Sequence, residues 1–190
     1  MQALECANAL EKVRLVHAIE VDLALGETEL LESSVGRPQR PELVHPSRVP
    51  TRKLAHPEGR GILLHSLAHI EFNAINLALD LLVRFPDMPP QFYADWLKVA
   101  KEEAYHHTLL CSRLDALGLS YGHYLAHDGL WQMAEKTKGS LLARLALVPR
   151  LLEARGLDVS PAIREKLAAV VRSNKNSFAY SMSELPGAAC

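Results

Sequence analysis

The sequence has few cysteines, few aromatic residues and no excess of charge of either sign. Its three cysteines, Cys6, Cys111 and Cys190, form no CxxC pair, which argues against a disulfide framework or a thiolate zinc site and favours a reducing compartment. Lys plus Arg number 21 against 22 Asp plus Glu, so no basic surplus predicts binding to nucleic acid or to an anionic membrane. The N-terminus has no signal-peptide pattern. The sequence contains no run of about 18 uncharged apolar residues, which is the length that would predict a membrane span. We therefore expect a cytoplasmic protein that does not associate with membranes.

The 190 residues nevertheless contain enough apolar material for a core. Hydrophobic residues make up 48% and charged residues 23%, which is the balance of a soluble globular protein with one domain and room for an additional arm. No alternating strand pattern occurs, whereas apolar residues recur at three- and four-residue steps. The sequence therefore predicts an all-α protein, most simply a helical bundle.

Glycine and proline positions divide the chain into predicted helices. These helices cover residues 4–25, 61–84, 90–117, 129–155 and 162–172, the fourth one being capped by Asp128 and kinked at Pro149. A short connection makes the second and third helices an antiparallel hairpin. Five prolines between residues 37 and 57 favour an extended arm that lies across the main domain. The predicted organisation is a helix and turn over 1–36, a proline-rich arm over 37–60, the bundle over 61–172 and an irregular tail over 173–190.

The third predicted helix carries a Glu-x-x-His pair, Glu103 and His106, whose side chains project from one helical face. A carboxylate beside an imidazole can bind one metal ion, although an isolated pair of this kind is more often a solvated surface pair. Glu71 precedes Glu103 by 32 residues, and a hairpin of two long helices brings positions so separated to a similar height. Glu71 can therefore meet the Glu-x-x-His pair.

Further imidazoles and one further carboxylate lie near this pattern. His65 and His69 share a helical face, but Glu71 comes two residues after His69 and so points about 160° away from it. We prefer Glu71 as the ligand and interpret His65 and His69 as supporting ligands or as polar residues of the core. His107 is a further supporting or alternative ligand. Glu153 continues an apolar stripe, where a carboxylate needs a partner. That partner is a metal ion, or Arg150 or Arg155, unless the carboxylate is solvated in the last helical turn.

Together these residues resemble the ferritin-like four-helix proteins with a carboxylate-bridged dinuclear iron or manganese centre, in which two helices each give a Glu and two each give a Glu-x-x-His pair. The closer resemblance is to a largely uncharacterised bacterial family of ferritin-like proteins. The segments that carry it are 65–71 (HSLAHIE), 85–87 (FPD), 102–106 (EEAYH), 127–131 (HDGLW) and 153–158 (EARGLD). The resemblance implies that Glu71, Glu103, His106 and Glu153 are metal ligands and that the metal pair activates oxygen or peroxide, with an unknown small-molecule substrate.

The sequence departs from this pattern after Glu153. The family would place a second Glu-x-x-His on the following helix, but there is no histidine beyond His127, and Glu165 comes too early. Our hypothesis is that the chain is a shortened or frame-altered form in which the bundle is incomplete at its last helix, and that the apolar groove so exposed favours a homo-oligomer. The alternative to an oxidoreductase is a non-catalytic helical interaction module, or a remnant with an incomplete metal site.

Overall fold

The computed structural model describes residues 2–20, 35–50 and 53–148, together with Glu165, Ala168 and Ala169. Within these ranges the protein contains helices and no strand, which confirms the all-α prediction. The α-helices are α1 (Gln2–Glu5), α2 (Ala9–Ala18), α3 (Pro57–Arg84), α4 (Pro90–Asp115), α5 (Gly129–Lys136) and α6 (Leu141–Leu147). A short 3-10 turn, Pro46–Arg48, lies in the arm before α3.

The two long helices form the centre of the structure. Both α3 and α4 begin with proline in their first turn, where the missing N–H leaves no hydrogen bond unmade. Gly118, with φ of 70°, follows the end of α4 in the left-handed conformation that glycine adopts without strain. The helices pack along their length through buried residues that include Ile75 and Leu79 of α3 and Ala100 and Ala104 of α4. The small alanines allow the two backbones to approach each other closely.

Two predicted helices are each divided into two. The expected helix over 4–25 breaks after Glu5, because Asn8 accepts a hydrogen bond from the backbone N–H of Glu11 (3.0 Å) and so starts α2 as a new helix. The expected helix over 129–155 breaks after Lys136, and the hydroxyl of Ser140 caps α6 in the same way. In both cases a polar capping residue inside the apolar pattern outweighed the continuity of that pattern. Pro149 and its predicted kink lie outside the described residues.

The arm before α3 contacts the segment before α5. The backbone N–H of Val44 donates to the carbonyl of Ala126 (2.8 Å), and the N–H of Ala126 donates to the carbonyl of Glu42 (3.0 Å). Arg37 forms an ion pair with Asp128 (2.6 Å) and lies over the ring of Trp131. Asp128 occupies the N-cap position of α5, as predicted, but its carboxylate makes no capping hydrogen bond and pairs with Arg37 instead.

One side of α3 carries a polar seam, which consists of the half-buried His69 and the buried residues His65, Asn73, Asn76 and Asp80. Successive members are three or four residues apart, so they follow one face of the helix. Buried polar groups are costly unless they are hydrogen-bonded. Asn73 bonds within α3, to the carbonyl of His69 (2.8 Å), and Asp80 pairs with Arg84 of the same helix (2.6 Å). The other partners of the seam come from other segments and attach those segments to α3.

Two members of the seam, Asn76 and Asp80, bind cationic side chains. Asn76 accepts a hydrogen bond from the ammonium group of Lys12, which is fully buried and also donates to the carbonyls of Leu4 and Gly36 (2.9 Å each). Burial lowers the pKa of Lys12 to about 8. Asp80 is fully buried and forms an ion pair with Arg144 of α6, which is 1% exposed. The seam thereby fixes α1, α2 and α6 against α3.

By length and composition α3 could cross a membrane, but most of its apolar window is buried inside the structure, as is usual for the core helix of a soluble protein. Its apolar residues pack on two clusters. One joins α1, α2, α3 and α4, and the other joins Leu77 to Trp131, Ala134 and Val148. Trp131 is 8% exposed and is therefore a packing residue of the second cluster.

We predict that Asp80→Ala destabilises the fold strongly. The substitution leaves the guanidinium of Arg144 buried without a carboxylate, and breaking a buried ion pair in this way costs about 3–5 kcal/mol of unfolding free energy. Urea denaturation measures the loss. Glu11→Ala is the matched control, because it removes an exposed ion pair with Arg14 and should leave stability almost unchanged. Equal losses in the two variants would contradict the structural role of the Asp80 ion pair.

Candidate metal site

Glu71, Glu103 and His106 form a cluster between the two long helices. One donor atom from each side chain lies within 4.8 Å of the others. His106 Nδ1 is 3.5 Å from Glu103 Oε2 on its own helix and 3.8 Å from Glu71 Oε2 across the hairpin. The side chains of Glu71 and Glu103 are 22% and 24% exposed, and that of His106 is 52% exposed. The cluster is therefore a half-buried site that solvent and ions can reach.

The helix hairpin explains why these residues meet. Glu103 and His106 are three residues apart and so lie one above the other on α4, one turn apart. Glu71 precedes Phe72 and Ile75, residues whose burial fixes the rotation of α3 about its axis. The core contacts of the hairpin therefore direct the Glu71 carboxylate towards the Glu-x-x-His pair.

The two carboxylates repel each other when both are ionised. Burial, a hydrogen bond to Glu103 and the negative charge of Glu103 together raise the pKa of Glu71 to about 8. At neutral pH the metal-free pair therefore holds a proton, which a cation would displace. Two carboxylate oxygens and one imidazole nitrogen are a donor set that suits Fe(II), Mn(II) and Zn(II), so the residues present fit a metal ion of this kind.

His65, His69 and His107 do not belong to this cluster, and each imidazole has other partners. His65 is 1% exposed and accepts a hydrogen bond from the N–H of Gly122 (3.0 Å). His107 lies 3% exposed, with its Nδ1 2.9 Å from the carbonyl oxygen of Ala68. These contacts make both residues part of the core, as one of the two interpretations of His65 expected and as was not expected for His107.

His69 joins the seam to the loop before α5. Its Nε2 donates to the carbonyl of His127 (3.2 Å) and its Nδ1 accepts from the hydroxyl of Tyr121 (2.9 Å), an arrangement that requires the tautomer with the proton on Nε2. Burial lowers the pKa of His69 to about 4, so this imidazole is neutral at physiological pH. Burial also raises the pKa of Tyr121, which keeps its hydroxyl protonated.

Sequence reasoning missed the role of Tyr121. Its ring stacks on His65, lies tilted against Phe72 and meets the edge of His107, with centroids 5.0 to 5.6 Å apart. The Tyr121 side chain therefore covers the part of the seam that contains His65 and His69. The signal was the pair His65 and His69 at i, i+4 on an otherwise apolar helix, which predicts a buried polar partner but does not identify it.

Glu153, the fourth ligand implied by the resemblance, lies outside the described residues. Glu165, which the sequence analysis excluded by its position, is exposed. Cys111 of α4 is partly buried. Its thiol lies 3.4 Å from His107 Nε2, and burial raises its pKa to about 11.

We predict that the metal-free protein loses stability as pH rises from about 5 to 8. The pKa of Glu71 is about 8 in the folded state against 4.5 normally, so in this range the folded state holds a proton that the unfolded chain releases. Glu71→Gln should remove this loss, because its amide does not ionise. Thermal unfolding in the presence of a chelator measures the dependence. Glu102→Gln, which changes an exposed neighbour outside the cluster, should retain the wild-type slope.

Comparison with known proteins identifies the family. Residues 5–180 match the family described as "Protein of unknown function (DUF455)". An uncharacterised protein of Haemophilus influenzae is 43% identical over 184 residues, an alignment that covers 87% of this chain and 64% of the relative. No solved structure matches the chain. The chain spans somewhat less than two thirds of the relative's length, and it belongs to the DUF455 family.

Proposed function

We propose that this chain is a ferritin-like metalloprotein of the carboxylate type, an oxidoreductase that uses iron or manganese to activate oxygen or peroxide in the cytoplasm. The observation that supports the proposal is the cluster of Glu71, Glu103 and His106, in which two facing helices bring two carboxylates and an imidazole within 4.8 Å of one another. Glu153 is the fourth ligand that we propose by resemblance.

The residues of the chain have distinct roles in this proposal. Glu71 and Glu103 hold the ion, and the proton shared by their carboxylates leaves when it binds, so metal affinity rises with pH. His106 supplies a nitrogen donor one helical turn from Glu103 and selects a transition metal over Mg²⁺ or Ca²⁺, which prefer oxygen ligands. When bound, iron or manganese supplies the electrons that reduce oxygen or peroxide.

The surroundings of the cluster suit this role. On one side, the buried residues of the hairpin, Ala100 and Ala104 among them, exclude water from the helix interface. On the other side, the half-exposed imidazole of His106 leaves an approach from solvent for a small oxidant. The substrate does not follow from these residues, because bundles with nearly the same ligands carry out storage, oxidation and hydroxylation.

Metal binding tests the proposal. After anaerobic incubation of the purified chain with Fe(II) or Mn(II) and removal of free ions, we predict bound metal in the wild type. We predict an affinity at least about tenfold lower in Glu103→Gln and in His106→Ala, each of which removes a donor atom. Glu102→Gln is the control, since Glu102 is exposed, adjacent in sequence and outside the cluster. The iron-loaded wild type should also consume oxygen.

The opposite result is equally informative. A colourless protein that retains no metal, and whose thermal stability does not respond to Fe(II) or Mn(II), would contradict the proposal. The chain would then be better described as a helical interaction module or as a remnant of a metalloprotein.

A further inference from the structure

His107 makes a buried polar link between the two long helices. The structure describes α4 along its whole length, and of its five buried residues only His107 is polar. Its Nδ1 lies 2.9 Å from the carbonyl oxygen of Ala68 on α3, and Ala68 is itself fully buried. Because a carbonyl oxygen can only accept, Nδ1 carries the hydrogen, and His107 donates a hydrogen bond across the hairpin.

The imidazole of His107 is also fixed on its other sides. Its Nε2 lies 3.4 Å from the sulfur of Cys111, one turn further along α4, and with the hydrogen on Nδ1 this nitrogen accepts from the thiol. The ring meets Tyr121 edge-on, with centroids 5.0 Å apart, and lies tilted against Phe72 at 5.7 Å. A ring with both nitrogens bonded and its faces packed is held in one orientation, so its bond to α3 has a defined position.

The link lies within about one helical turn of the metal-site cluster. On α3, Ala68 precedes Glu71 by three residues, which corresponds to a rise of about 4.5 Å. On α4, His107 directly follows His106 and comes four residues after Glu103. The hydrogen bond and the three donor side chains therefore share the same short stretch of the hairpin.

The apolar contacts of this stretch fix the relative height of the helices less well. Ala100 and Ala104 are fully buried against α3, but their side chains are small and their contacts are not directional. The donors of a metal site must be held within about 0.5 Å of their productive positions. A hydrogen bond, which weakens steeply with misalignment, meets this requirement better than alanine packing does.

We infer that His107 is a positioning residue of the candidate metal site, and that its hydrogen bond to Ala68 sets the height of the Glu-x-x-His pair against Glu71. His107 is not itself a donor of the cluster and acts through the helix on which it lies. This inference rests on the proposed function and adds to it the contact that keeps the donors of the two helices together.

Metal affinity and a spectroscopic signature test the inference on the 190-residue chain. His107→Leu keeps an apolar side chain of similar size but donates no hydrogen bond, so we expect its affinity for Mn(II) to fall at least about tenfold. In electron spin-echo measurements on bound Mn(II), the modulation from the His106 nitrogen should weaken as well. His107→Asn places an amide N–H close to the position of the Nδ1 hydrogen and should restore both properties.

Leu4→Ala controls for a loss of stability alone. Leu4 is fully buried in α1, which packs on α2 and α3, so its truncation destabilises the fold and leaves the His107 contact in place. We expect wild-type affinity and wild-type nitrogen modulation in this variant. Thermal unfolding of each variant sets a temperature at which all of them are folded.

The outcomes separate the inference from the proposed function. Wild-type affinity in His107→Leu would overturn the inference and leave the proposed function standing. Affinities that fall equally in both His107 variants and in Leu4→Ala would also overturn it, since they would report general destabilisation and not the position of the donors. A wild-type chain that retains neither Mn(II) nor Fe(II) would overturn both.

Discussion

The need to satisfy buried polar groups on α3 determines how the rest of the chain is arranged. Asn76 and Asp80 are fully buried on a helix whose own backbone cannot serve them, and each takes a cation from a distant segment, Lys12 or Arg144. Apolar packing alone would allow α2 and α6 to slide along α3. A hydrogen-bonded partner at a fixed position along α3 prevents this sliding, so the polar seam sets the register of the helices.

The candidate metal site depends on the same helix but on a different side. Residues two apart on a helix point about 160° away from each other, which separates His69 in the seam from Glu71 in the cluster. Other segments cover the seam, whereas the three side chains of the cluster remain 22–52% exposed. A buried side that fixes the architecture and an open side that carries reactive groups together allow one helix to support both stability and chemistry.

The sequence predicted the parts of the fold that depend on local pattern. The bounds of α3 and α4 fall within four residues of the predicted ranges, since prolines and Gly118 mark their ends, and the spacing of Glu71, Glu103 and His106 indicated a cluster that the hairpin brings together. The breaks at Asn8 and Ser140 were missed because a capping residue competes with an unbroken apolar period. The partners of the seam could not be predicted, because a buried histidine requires a hydrogen bond without specifying which loop provides it.

The two cationic contacts that join the seam to distant segments also bear on the order in which the molecule assembles. Lys12 and Asn76 are separated by 64 residues, as are Asp80 and Arg144, whereas α3 and α4 follow each other directly along the chain. Because closing a long loop costs more entropy than closing a short one, the helix pair should associate first and the two ends of the chain later. The two carboxylates and the imidazole of the cluster lie on this helix pair, so they would be in place before the outer segments dock.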